Sequence, residues 1–267
     1  MPAEISIVVP LFNESENVGP LVERIFAAFR DEPRELELLL VDDASTDDTW
    51  QRIVERRQDD PRVRALRHLK NGGQSASLWT GFRASRGEII ATLDGDLQND
   101  PADLPRMLAI LATCDLVCGV RTRRMDSSVR RLSSRIAWRA RKLMLGVDFQ
   151  DTGCNLRAFK HSVLENMPAF NGVHRFMPIL AHAGGAIVKE IPVVHHPRVA
   201  GQSKYGVWNR LGRGIYDLMG VRWYQQRRLK KIPTIEHEFN VAQASSPASS
   251  GGVPPPRPGA TAGGAAR

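Results

Sequence analysis

Cysteine is scarce in this 267-residue chain. The three present, Cys114, Cys118 and Cys154, form no CxxC pair, and their odd number cannot close into a full disulfide set. A reducing, cytoplasmic compartment is the expectation. Long apolar runs are also missing: none approaches the roughly 18 to 20 residues that span a bilayer, and Met1-Pro2-Ala3-Glu4 carries neither the basic nor the apolar region of a signal peptide. If the chain meets a membrane, it is expected to lie on the surface or to dock to a separate integral membrane protein. Aromatics make up 6% and no nucleic-acid-binding motif is present, so only the pI of about 9.9 supports a basic nucleic-acid-binding protein, and no nucleic-acid partner is expected. Acidic residues are outnumbered, 29 against 37 basic, for a formal net charge of +8. The expected partners are therefore anionic.

With 42% hydrophobic and 25% charged residues, the chain can bury one sizeable core. The run Ile5-Ser6-Ile7-Val8-Val9 reads as a buried strand, and apolar Val18, Leu21, Val22, Ile25, Phe26 and Phe29 then recur at helical spacing. Asn13 and Glu16 have the spacing of a capping box. Further strands are expected at 36–41, 63–66, 88–93 and 116–120. Helices are expected after the Ser45-Thr46-Asp47-Asp48 cluster and after the Asn71-Gly72-Gly73 turn. Such alternation predicts an α/β fold with a mostly parallel sheet flanked by helices, whose ligands gather at the carboxyl ends of the strands. Acidic clusters stand at those ends, and Arg121 follows the fifth strand to the same edge. Asn71 to Gln74 reads equally as an anion cradle at a helix start or as a plain glycine turn.

Positive charge is concentrated in two places. Residues 121–142 hold nine basic residues against Asp126, with an apolar stripe of Val129, Leu132, Ile136 and Leu143. Residues 204–231 hold eight against Asp217, with Trp208, Leu211, Ile215, Leu218, Met219 and Trp223. Both read as basic amphipathic helices suited to an anionic membrane surface. A plainer reading of the second stripe is packing on the rest of the protein, with only its basic edge near a membrane. From about residue 240 the chain is Ala, Ser, Gly and Pro, the composition of a disordered tail.

The sharpest chemical signal is Asp94-Gly95-Asp96-Leu97-Gln98. In an extended segment its alternate positions offer two carboxylates and an amide oxygen toward one point, a set of hard ligands suited to Mg²⁺ or Mn²⁺. An isolated Asp-x-Asp is more often a solvated turn. Here it stands with Val9-Pro10-Leu11-Phe12-Asn13-Glu14 and Val41-Asp42-Asp43-Ala44-Ser45-Thr46-Asp47. Asp151-Thr152-Gly153-Cys154-Asn155-Leu156-Arg157 and Arg198-Val199-Ala200-Gly201-Gln202-Ser203-Lys204 follow in order. Together these segments resemble the family 2 glycosyltransferases of GT-A fold, in the branch of dolichol-phosphate mannose synthase and undecaprenyl-phosphate sugar transferases.

That resemblance implies metal-dependent transfer of a sugar from a nucleotide-sugar donor, GDP-mannose or a UDP-sugar, to a polyprenyl phosphate, with inversion, at the inner face of the cell membrane. It divides residues 1–225 into a nucleotide-sugar and metal half (1–120) and an acceptor and membrane-facing half (121–225), ahead of a basic extension (226–239) and the tail (240–267). By position, Pro10, Asn13 and Glu14 would line the nucleotide pocket, and Asp42 or Asp43 would bond the base or ribose. Asp94 would border the donor, while Asp96 and Gln98 would hold the metal. Arg121 would neutralise the leaving phosphate. Asp151 would act as a base, bond sugar hydroxyls or order a loop. Arg130 or Arg131 with Ser134, and Arg198, Ser203 and Lys204 in a loop, would bind phosphate. A family 2 enzyme acting on a polysaccharide or protein is the alternative. His195-His196 reads as a strand-to-loop connection, and Cys114 and Cys118 as buried thiols.

Overall fold

β-branched and leucine-rich runs bury themselves on both faces wherever helices alternate with them along the chain, and the first half follows this rule. In the computed structural model, which describes residues 3–121, 138–197 and 207–229 and only the backbone of 207–213, it reads β1 (Ile5–Leu11), α1 (Ser15–Ala28), β2 (Leu36–Asp42), α2 (Thr49–Asp59), β3 (Val63–Arg67), α3 (Gln74–Ala84) and β4 (Ile89–Thr92). Then come α4 (Asp103–Ile110), β5 (Leu116–Arg121), helical residues 138–145 (α5), β6 (Arg157–Lys160), α6 (Val173–Ala183), β7 (Val188–Val193) and α7 (Val207–Arg227). Seven strands form one sheet in the order β3-β2-β1-β4-β6-β5-β7.

The sheet is parallel except for β6, which is antiparallel to both β4 and β5. Two reversals restore direction, so β5 runs with β1 to β4 and leaves Arg121 on their carboxyl edge, as expected. The same logic brings residues 151–156, just before β6, to that edge, and the end of β7 with them. Strand β6 carries Arg157 and Lys160 in only four residues. It has no apolar run by which it could be foreseen.

Alternation along β1 and β2 divides the core. Ile5, Ile7, Val9 and Leu11 with Leu36, Leu38 and Leu40 face α1, α2 and α4. Val8, Leu39 and Val41 face α3, α6 and α7. Among them, Glu37 is buried as an ion: its carboxylate accepts from Ser6 Oγ (2.6 Å), Arg64 Nη1 (2.7 Å) and the Arg86 N–H (2.7 Å). Burial opposes its charge, but these donors outweigh it and hold its pKa below the ordinary glutamate value.

Two local expectations are corrected. Asn13 does not cap α1: it sits at φ 55 outside the helix, whose N-cap Glu14 makes no side-chain cap bond. Partners from the loop after β2 capture Asn13 instead. Nor is 94–98 extended, because Gly95 and Asp96 turn and Leu97 has φ 59, which carries Leu97 into the core. The approach is close enough that a Cβ on Gly95 would meet Leu11 Cδ2 at 2.3 Å. Strand alternation therefore does not align Asp94, Asp96 and Gln98.

Candidate functional site

The loops after β1 and β2 are sewn together at the carboxyl edge. Pro10 lies within β1, in register with Val41. Asn13 receives the Thr46 N–H on Oδ1 (2.8 Å), and its own N–H donates to Ser45 Oγ (2.9 Å). The Glu14 N–H donates to Thr49 Oγ1 (2.8 Å), while the Glu14 carboxylate accepts from Asn17 Nδ2 (2.6 Å). Asp42 is fully buried; one oxygen accepts the Ser45 N–H (3.1 Å) and the other stands 3.0 Å from Arg67 Nε.

Asp43 is engaged on every side. His68 Nδ1 and the Gly72 N–H meet one oxygen (2.7 and 2.8 Å), and the Gly73 N–H meets the other (2.7 Å). The anion held by the Asn71 to Gln74 turn is thus Asp43 itself. This clamp sets the start of α3, from which Gln74 Nε2 donates to Asp94 Oδ1 at 2.7 Å. Asn155 Nδ2, from the loop before β6, donates to the same oxygen at 3.0 Å. Burial and the neighbouring Asp96 charge push the Asp94 pKa up to about 6, against the pull of Asn155, Arg157 and Arg121.

The Asp96 charge makes Asp94 costlier to ionise, and a cation placed between the two carboxyl groups would relieve that repulsion. Gln98 donates Nε2 to the His196 carbonyl (3.3 Å) and its N–H to Asp96 Oδ1 (3.2 Å). Its amide oxygen accepts from no described residue. No three His, Cys, Asp or Glu side chains converge among the described residues. The donors are then two carboxylates and an amide, and Mg²⁺ or Mn²⁺ accepts such a set when substrate oxygens complete it. In donor chemistry, though not by strand alternation, these side chains suit the expected metal.

Arg121 and Asp151 meet as a fork: Nε donates to Oδ2 (2.7 Å) and Nη2 to Oδ1 (2.8 Å). Burial works against the Arg121 charge, but the pair with Asp151 overcomes it and raises its pKa. Beneath them Arg157, 1% exposed, donates to the carbonyls of Thr152 (2.9 Å) and His174 (2.6 Å). Ser75 Oγ accepts the Gly172 N–H (2.8 Å) and is hydrogen-bonded to His174 Nδ1 (2.6 Å). Burial first, then Arg157 and Arg175, lower the His174 pKa to about 3 and keep the ring neutral. The sequence reading gave no individual role to Ser75, Asn155, Arg157 or His174, although Asn155 and Arg157 stand within the Asp151 to Arg157 motif and Ser75 follows the Asn71 to Gln74 turn.

Arg130, Arg131, Ser134, Arg198, Ser203 and Lys204, the expected phosphate ligands, lie outside the described residues. His195 and His196 are confirmed as a strand-to-loop connection: His195 bridges Asn99, and the His196 N–H donates to the Gln98 carbonyl. All three cysteines are buried thiols.

Residues 6–167 match the profile described as Glycosyl transferase family 2. A dodecaprenyl-phosphate galacturonate synthase of Rhizobium johnstonii is 39% identical over 241 residues, covering 85% of this chain and 69% of the relative. An undecaprenyl-phosphate 4-deoxy-4-formamido-L-arabinose transferase of Pseudomonas fluorescens is 38% identical over 230 residues, covering 85% and 67%. Among solved structures, a mannosyltransferase from Pyrobaculum calidifontis in complex with GDP-Man and Mn²⁺ has a TM-score of 0.60 at 23% identity, over 87% of this chain and 66% of that one. Glucosyl-3-phosphoglycerate synthase from Mycobacterium tuberculosis, in complex with Mn²⁺, UDP and its product, has a TM-score of 0.60 at 18% identity, over 84% and 80%. At these identities the structural likeness is one of fold.

Proposed function

The chain is a glycosyltransferase that belongs to glycosyl transferase family 2, and on that premise we propose that it moves a sugar from a nucleotide-sugar donor to a polyprenyl phosphate at a membrane surface. The observation that supports this most is the 39% identity, across 85% of the chain, to a dodecaprenyl-phosphate galacturonate synthase. The site agrees with it chemically. Asp42 and Arg121, which end their strands, and the loops holding Asp94, Asp96 and Asp151 all lie at one sheet edge.

A lipid monophosphate is largely ionised near neutral pH, its second pKa being about 6, so its oxygen attacks without a protein base. In a single displacement, the bond between the anomeric carbon and the acceptor oxygen forms as the bond to the nucleotide diphosphate breaks, inverting that carbon. Asp94, oriented by Gln74 and Asn155, borders the donor sugar. Asp96 and Gln98 would hold Mg²⁺ or Mn²⁺, which supplies charge neutralisation for the departing diphosphate. Arg121 is held rigid by Asp151, so its positive charge is already in position as the diphosphate leaves. That fork supports reading Asp151 as a positioning residue rather than a base.

The test is incubation with Mn²⁺, candidate GDP- and UDP-sugars and undecaprenyl phosphate. Glycolipid formation with one donor is expected. No turnover with any donor, under conditions in which a polyprenyl-phosphate relative works, overturns the reading; transfer to a polysaccharide or protein instead replaces its acceptor.

A further inference from the structure

Helix α7 has two apolar sides, and only one is packed. Leu218 and Val221, 7% and 2% exposed, join the core beside α6. Ile215, Tyr216, Met219 and Trp223 fall at i, i+1, i+4 and i+8, on another side of the helix. They are 53%, 80%, 59% and 65% exposed. The sequence reading had allowed this stripe to pack on the rest of the protein. The structure divides it instead, giving Leu218 to the core and leaving its neighbours outside.

We propose that this outer face of α7 is the surface that seats the protein on an anionic bilayer, with Met219 at its centre. The choice of a bilayer rests on the lipid-acceptor reading above. Three observations favour that occupant. The described charge on this stretch is cationic, Arg222, Arg227 and Arg228 against Asp217, so a second copy of the chain would bring like charge to like, whereas an anionic surface complements it. Large aromatic and aliphatic side chains on the free side, with Arg222 and Arg227 exposed beside them, form the pattern of a helix lying in the headgroup region. Arg222 Nη1 also donates to the Met144 carbonyl, which brings α5 and its 85% exposed Leu143 alongside.

The third observation is placement. Asp217, on the packed side, lies over the start of α6, where a Cβ on Gly172 would meet its carboxylate at 3.1 Å. Gly172 donates to Ser75, and the adjacent Gln74 holds Asp94. The turn of α7 that carries Ile215, Tyr216 and Met219 is therefore fixed to the framework of the donor site. A bilayer on its outer side would present lipid headgroups near that site.

The test uses the full chain and vesicles of phosphatidylcholine with or without phosphatidylglycerol. The wild type is expected to float with anionic vesicles. A triple variant, I215S/M219S/W223S, is expected to lose about tenfold or more of that binding with an unchanged far-ultraviolet spectrum and melting point. An environment-sensitive dye on M219C, the native cysteines being buried, should shift blue on binding. Equal flotation of wild type and triple variant, or an unshifted dye, overturns the proposal. So does sedimentation showing that the triple variant only dissociates an oligomer. A water-soluble short-chain prenyl phosphate separates the two readings: if the wild type floats yet glycosylates no prenyl phosphate, the acceptor reading fails and the surface stands. Turnover of the soluble acceptor without flotation leaves the acceptor reading and removes the surface.

Discussion

A carboxylate at this sheet edge is defined by who donates to it. Asp43 is consumed by backbone N–H groups and His68, Asp151 by Arg121, while Asp94 shares one oxygen between two amides and feels the charge of Asp96. Asp96→Asn should lower kcat/KM for sugar transfer by about two orders of magnitude and weaken Mn²⁺ binding measured by calorimetry, because half the charge that attracts the cation is gone. The Arg121 and Asp151 fork makes a different prediction. Removing either partner strands a buried charge, so Arg121→Met or Asp151→Asn should each cost about 3 kcal/mol in urea unfolding. The double variant should cost clearly less than the sum, and additivity would deny the coupling. The side chains themselves were legible as chemistry-bearing residues in the sequence. Their division into bound and available was not, since it depends on partners up to 61 positions away, as from Asp94 to Asn155.

Elements hold these residues through contacts as specific as those in the site. Helix α3 lies so close to β1 that a Cβ on Gly81 would meet Val8 Cγ1 at 2.2 Å, and Val8 is fully buried. Gly81→Ala should therefore destabilise the protein by about 1–3 kcal/mol through overpacking, and Val8→Ala in the same chain should restore part of the loss; thermal melts of the two single variants and the double decide it. The start of α6 contributes a pH dependence. Burial lowers the His174 pKa to about 3 in the fold from the ordinary histidine value of 6.5, so below 6.5 the unfolded chain binds more protons and stability falls as pH falls. The slope is expected to approach about 1.4 kcal/mol per pH unit midway between those values, and urea titrations at several pH values should find it diminished in His174→Gln. Strands β1, β2 and β4 and helices α1 to α3 were readable because apolar period and glycine turns mark them. Strand β6 was not, because its four residues owe their conformation to β4 and β5.

At the scale of the molecule, a nucleotide that binds the folded state alone should raise the melting temperature. At one hundred times its Kd the gain is about 2.7 kcal/mol, and a thermal-shift screen of GDP and UDP, with and without Mn²⁺, is expected to single out one of them. The alternation of elements, the parallel first half and the family motifs were all determined by the sequence, because buried strands and amphipathic helices announce themselves locally and the motifs sit at fixed points between them. Tertiary structure alone decided that β6 runs backward and so brings Asp151 and Asn155 to Arg121 and Asp94. It alone turned the Asp94 to Gln98 segment out of the extended form, and it left one apolar face of α7 uncovered while burying the other. The physical reason is common to all three: a local pattern records that a side chain is apolar or charged, whereas the chain segment that meets it is chosen by packing across the whole sheet.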